Sequence, residues 1–215
     1  MEDLDKYYWV LHRRCKWMVS CLNLGGQVKK NYRKRIKNES IKINLPEVQQ
    51  KTHFSCAAAV VHSICSYWGL QLPSHYDYFP HLETDESYGT LPQKIANYFK
   101  STGLTAVIQY NMTIKNLCQE INQGKPVILA LQAWGNPRHY AKTGNGHYVV
   151  AIGFDEKNIY FEDPWLNCSR GFIPKNELLK RWHDMDYMGV MHNRMGIIVS
   201  HRKKPIYPYT AKKIS

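Results

Sequence analysis

A cysteine, a histidine, an aspartate and a glutamine in this 215-residue chain stand where, together, they could carry out acyl transfer. Cys56 lies in Gln50-Lys-Thr-His-Phe-Ser-Cys56-Ala-Ala-Ala, where an extended approach gives way to a helical pattern. Ala57, Ala59, Val60, Ile64, Tyr67 and Trp68 fit an inward-facing helical stripe, and Gly69 supplies the stop. A thiol in the first turn of a helix sits beside unpaired N–H groups and the positive end of the helix dipole. Both favour the thiolate, which is the form that attacks. Gln50, just upstream, can swing its amide beside the Cys56 N–H, and two such donors form an oxyanion hole. Its neighbour Gln49 is the rival for that role, and the spacing favours Gln50. The competing reading of Cys56 is a buried cysteine that packs as a small hydrophobe.

A nucleophile needs a base, and the base needs a group to orient it. His147 opens one apolar run and Asp163 closes the next. A tight turn at 155–158 would fold these runs into an antiparallel hairpin that sets residues 147 and 163 almost opposite each other. Asp163 would then accept from the imidazole Nδ1–H, leaving Nε2 to take the thiol proton. No carboxylate stands at a comparable position for His53, His62, His139 or His183, which read as surface or capping residues. Cys168 has no base of its own. Trp134 and Trp165 lie by the motif ends, where lining a substrate groove and packing in the core are equally open readings.

These residues must be carried by a set of elements. Residues 3–24 show Leu4, Tyr8, Leu11, Cys15, Met18 and Leu22 at heptad-like spacing, which predicts a helix ended by Gly25-Gly26. The charge run Lys29–Lys37 reads as a connection. After the Cys56 helix, residues 70–89 read as an irregular excursion. Thr90 is expected to cap a helix to Lys100, with Pro92 in its first turn, and Thr113 to cap a second helix closed by Gly124. Strands are expected at Leu104–Tyr110, Pro126–Trp134, His147–Phe154, Ile159–Pro164 and Met195–His201, with a short helix from Pro174 to His183. Helices first and a hairpin-rich sheet last make the class α+β. The division read from the chain is a basic N-terminal helix and linker over 1–44, a catalytic-type domain over 45–201 and a basic tail over 202–215.

The composition sets limits. Apolar residues make up 44% and aromatic residues 13%, enough for a sizeable core. The formal charge is +12, and its excess lies at the ends: residues 1–44 hold 11 basic and 4 acidic residues, and 202–215 hold 5 basic and none acidic. Basic ends bind nucleic acid or an anionic membrane surface in some proteins, and in more they are solvated tails. The six cysteines form no C-x-x-C pair and no zinc spacing, so reduced thiols and no metal or other cofactor are expected. The acidic start and the lack of a long apolar run lead to the expectation of a cytoplasmic protein with no signal peptide or membrane span.

Leu45-Pro…Gln50-x5-Cys56-x-Ala58, Tyr67-Trp-Gly69, Gly146-His-Tyr-Val-Val-Ala-Ile-Gly153 and Asp163-Pro164 resemble cysteine peptidase family 39. This papain-like group includes the enzymes that cleave bacteriocin leader peptides after a double glycine. Gly89-Thr90-Leu-Pro92 and Gly124-Lys-Pro-Val-Ile-Leu129 resemble its connecting segments, and the match spans roughly residues 45–200. The resemblance implies a papain-like fold, with the cysteine helix packed on an antiparallel sheet carrying His and Asp. It implies hydrolysis of a peptide or protein substrate, with Cys56 as nucleophile, His147 as base, Asp163 as orienter and Gln50 as oxyanion donor. Ala57 stands where the family usually has glycine, which would bring its methyl beside the substrate chain. The runner-up is deamidation, amide transfer or isopeptide cleavage through the same thioester, and a reading of another class is a non-catalytic peptide-binding module that kept the groove.

Overall fold

The computed structural model describes residues 40–70, 78–133, 140–166 and 170–205. The expected N-terminal helix, the basic linker, Trp134, His139, Cys168 and the last ten residues lie outside them. Five helices occur among the described residues: α1 (Cys56–Tyr67), α2 (Tyr78–Leu82), α3 (Pro92–Ser101), α4 (Ile114–Asn122) and α5 (Lys175–Arg181). The strands are β1 (Thr105–Gln109), β2 (Val127–Gln132), β3 (Gly146–Phe154), β4 (Asn158–Glu162), β5 (Gly171–Pro174), β6 (His183–Met185), β7 (Met191–Asn193) and β8 (Gly196–Ser200). Six of them form one antiparallel sheet in the order β1-β8-β2-β3-β4-β5, while β6 and β7 pair as a separate hairpin. No described helix is long and apolar enough to cross a membrane.

The nearly unbroken apolar runs of β2 and β3 follow from their place inside the sheet, where burial on both faces leaves no polar alternation. Helix α1 packs on β3 and is buried almost all round, so its buried set is wider than the expected stripe and adds Ala58, Val61, Ser63 and Cys65. Val60, Val61 and Ile64 are each at most 1% exposed. Burial of such side chains stabilises by about 1.5–3 kcal/mol apiece. This packing holds the N-terminus of α1 against the sheet.

The entry segment is pinned to β3 by close backbone contact. Lys42 and Ile43 both donate to the Ile152 carbonyl at 2.9 Å, and Phe154 donates to Ser40 at 2.8 Å. The approach requires Gly153: a methyl group there would overlap the Ser40 carbonyl oxygen and lie 2.8 Å from Ile41 Cα. The entry segment takes up the Ile152 carbonyl, and the β3–β4 ladder shifts register between Ala151 and Gly153.

Several local expectations are corrected. Thr90 does not cap α3. Pro92 opens the helix, which makes Leu91 the flanking residue, and the Thr90 hydroxyl bonds Thr84 Oγ1 at 2.8 Å. Thr113 does cap α4, in a reciprocal box with Asn116. The excursion after α1 contains α2 and a small bridge between Asp85 and Gly89. The short helix is α5 and ends at Arg181, with His183 already in β6.

Candidate active site

Cys56 opens α1, and the sequence before it explains what stays available there. Ser55 is the flanking residue, yet its side chain makes no cap. Its hydroxyl turns back instead, accepting from the N–H groups of Lys51 at 3.1 Å and Thr52 at 3.0 Å and donating to the Thr52 carbonyl. The first intrahelical bond near this end runs from Ala59 to Ser55. The first-turn N–H groups therefore have no side-chain acceptor, and their partial positive charge faces the half-exposed thiol.

His147 enters from β3, 4% exposed, and its Nε2 lies 2.8 Å from Asp163 Oδ1. Asp163 follows directly on β4 and begins a turn in which the same oxygen accepts the Trp165 N–H at 2.9 Å. The juxtaposition is as expected, but the register is not. Val150 faces Glu162 and Ala151 faces Phe161, so the ladder runs two residues off the predicted pairing. The turn spans 155–158 as expected, with Phe154 facing Ile159 and Asp155 accepting from the N–H groups of Lys157 and Asn158. A ladder counted from that turn lies three residues off the expected pairing, and the bulge between Ala151 and Gly153 takes one back. A two-residue shift preserves the side-chain alternation, so His147 and Asp163 still meet, as diagonal neighbours.

The ring nitrogens are reversed from the expectation. Asp163 occupies Nε2, which leaves Nδ1 for the Cys56 thiol, with which the imidazole also hydrogen-bonds. Burial works against a charge on His147. The Asp163 carboxylate, its hydrogen bond and the contact with Cys56 outweigh this and raise the imidazole to about 10. At neutral pH the ring therefore already holds its proton and stands as imidazolium beside the sulfur. Burial likewise works to raise Asp163, but His147, the Trp165 N–H and the Arg181 charge hold it below the ordinary carboxylate value.

Gln50 is buried and joined to the other half of the site, its N–H donating to the Pro164 carbonyl at 2.9 Å. One amide hydrogen of its side chain goes to the Thr52 carbonyl at 2.7 Å, which leaves the second Nε2 hydrogen for another acceptor. Gln49 is exposed. Ala57 is only 1% exposed, so its methyl is packed inside the protein and not offered to a substrate chain. Trp165 is half-buried beside Asp163. The other described histidines are structural: His53 meets Phe54 edge to face, His62 packs on Tyr78, and His183 Nε2 bonds the Tyr140 carbonyl at 2.6 Å.

Two side-chain pairs escaped the sequence reading. His192 Nε2 lies 2.9 Å from Asp186 Oδ2 across the β6–β7 hairpin, and Asp186 also accepts from Met188 and Val190, so this pair shapes the hairpin tip. The spacing of Asp186 and His192 around Gly189 was the available signal. Glu162 and Arg170 approach at 3.8 Å beside the entry segment. Among the described residues no group of three His, Cys, Asp or Glu is arranged to hold a metal ion.

Residues 42–190 match the Peptidase_C39 like family. The chain belongs to that family. Solved structures with the same fold include a C39-like peptidase from Bacillus anthracis, 18% identical, with a TM-score of 0.59 over 78% of this chain and 100% of the other. The peptidase domain of Streptococcus ComA, a bifunctional ABC transporter of a quorum-sensing pathway, is 17% identical, with a TM-score of 0.54 over 76% and 98%. A double-glycine-motif protease of an AMS/PCAT transporter, solved with its leader peptide, is 19% identical, with a TM-score of 0.51 over 78% and 96%. No curated protein sequence matches the chain. The C39-like family and the fold shared with these structures give the papain-like α+β class, with the Cys56 helix against the sheet that carries His147.

Proposed function

We propose that the protein is a cysteine peptidase that hydrolyses a peptide bond through Cys56, His147, Asp163 and Gln50. The observation that carries this reading is His147 held between Asp163 and the Cys56 thiol at an uncapped helix N-terminus. With the imidazolium beside it, the sulfur attacks the substrate carbonyl as thiolate. The carbonyl oxygen becomes an oxyanion, met by the Cys56 N–H and the second Nε2 hydrogen of Gln50. As the tetrahedral intermediate collapses, His147 passes its proton to the leaving amine and the C–N bond breaks. The neutral imidazole then takes a proton from water, whose oxygen attacks the thioester and releases the acid and the thiolate. Asp163 keeps the ring oriented and its charge balanced throughout. A fold neighbour is a protease solved with its leader peptide, which supports a peptide as substrate.

The test compares the protein with its Cys56→Ala variant against a peptide library, read by intact mass. New termini that appear only with Cys56 present support the proposal. Conversion of side-chain amides without backbone cleavage would replace peptidase by deamidase, and binding without any product would reduce the site to a recognition module.

A further inference from the structure

The segment 44–50 delivers Gln50 to the site without belonging to any strand. Its backbone is held by side chains instead. Arg170 Nη2 donates to Asn44 Oδ1 at 2.7 Å and to the Leu45 carbonyl at 3.0 Å. Ser63 on α1 donates to the Pro46 carbonyl at 2.7 Å. Glu162, at the end of β4, lies beside this segment, its Oε2 3.8 Å from Arg170 Nε, which ties the hold to the sheet.

Glu162 is an awkward residue to keep there. It is only 4% exposed, and neither its Oε2 nor Arg170 Nε has a hydrogen-bond partner. Burial pushes its carboxyl up to about 8, with Glu47 and Asp163 adding to the push while Arg170 and the Val48 N–H oppose it. A buried ion pair with unsatisfied atoms adds little to net stability. What this pair does supply is a fixed path for the chain just before Gln50.

We infer that Arg170, with Glu162 behind it, is a positioning clasp on residues 44–46 that sets where Gln50 presents its amide to the developing oxyanion. The inference rests on the role proposed above for Gln50. It requires that loosening the clasp weaken acyl transfer while leaving the reactivity of the thiol itself unchanged.

Two probes of Cys56 separate those effects. Acetylation by p-nitrophenyl acetate passes through an oxyanion, whereas alkylation by iodoacetamide displaces iodide and forms none. Both rates are measured at pH 9, where the Glu162 carboxyl is ionised, with the Cys56→Ala background subtracted, in wild type, Gln50→Ala, Glu162→Gln, Arg170→Met and the Gln50→Ala/Glu162→Gln double variant. Alkylation is expected to stay within about twofold throughout. Acetylation should fall roughly a hundredfold in Gln50→Ala and about tenfold in Glu162→Gln and in Arg170→Met. Added to Gln50→Ala, Glu162→Gln should change it by less than about twofold, because both act on one interaction. Glutamine at 162 keeps the shape of the side chain, and Arg170 is partly exposed, so at least one variant of the pair should fold. Factors that multiply in the double variant, or alkylation that falls in step with acetylation, would overturn the clasp. If Gln50→Ala alone leaves acetylation unchanged, or Cys56 alkylates no faster than Cys118 in wild type, the proposed function fails instead.

Discussion

Asp163→Asn isolates charge from geometry in the His147 pair. The asparagine Oδ1 can still accept from Nε2–H, so the ring keeps its orientation while its counter-charge disappears. Holding the imidazole at about 10, against an ordinary value of 6.5, amounts to on the order of 5 kcal/mol between its two protonation states. Asp163 is the largest of the contributions that raise it. An opposite charge at this range shifts a titration by about 1–3 pH units, so His147 in the variant should titrate between roughly 7 and 9. The assay is ring ¹⁵N NMR against pH, with His147 assigned by the signal lost in His147→Gln. Stability should follow the same sign. The raised imidazole stabilises the fold fully below about pH 6.5, and this is lost as pH rises towards 10. The lowered Asp163 stabilises above about pH 4, and this is lost as pH falls. The gap in melting temperature between wild type and Asp163→Asn should therefore be widest from about pH 4 to 6.5 and close towards pH 10. A ring that still titrates near 10 in Asp163→Asn, or that moves further in Cys56→Ala, would refute this account.

Cys56→Ser should lower peptide cleavage roughly a thousandfold or more, because the hydroxyl is a far weaker nucleophile at a site built for thiolate; steady-state rates on a cleaved peptide check this. Gln50→Ala should cut kcat about a hundredfold with KM little changed, whereas Gln49→Ala, on an exposed side chain, should be silent; the same kinetics with the roles exchanged would move the oxyanion donor to Gln49. Gly153→Ala should destabilise by about 1–3 kcal/mol in urea unfolding, since the atoms its methyl meets belong to the Ser40–Ile41 backbone and cannot rotate away.

The sequence carries the site's membership better than its geometry. Cys56, His147 and Asp163 are legible because a helix start and two apolar runs flank them, and those signals depend on residue type and spacing alone. Which imidazole nitrogen faces the carboxylate depends on how the β3–β4 ladder is staggered. That stagger includes a bulge at Ile152, whose carbonyl accepts from Lys42 and Ile43 far back in the chain, a contact that no local pattern encodes. Thr90 looked like a cap because its type fits one, and a single residue of offset gave its hydroxyl to Thr84. Strands β5, β6 and β7 hold three or four residues each, too few for a period to register. Glu162 sits at the end of an apolar strand run, and no pattern in the sequence marks that the fold will bury it.

The placement of Cys56 early in the chain and of its partners on a hairpin in the second half has a consequence for how activity appears during folding. His147 and Asp163 meet through local pairing, which forms early and at little entropic cost. The nucleophile joins them only when α1 docks on β3, a contact that spans much of the sequence and closes a long loop. A nascent or partly unfolded chain therefore carries a thiol with no imidazolium beside it and no organised helix end to meet an oxyanion. Such a chain is chemically quiet towards its neighbours, and competence arrives in one step with the docking. Substitutions in the α1–β3 contact should thus shrink the competent fraction of molecules while leaving each competent molecule at full rate.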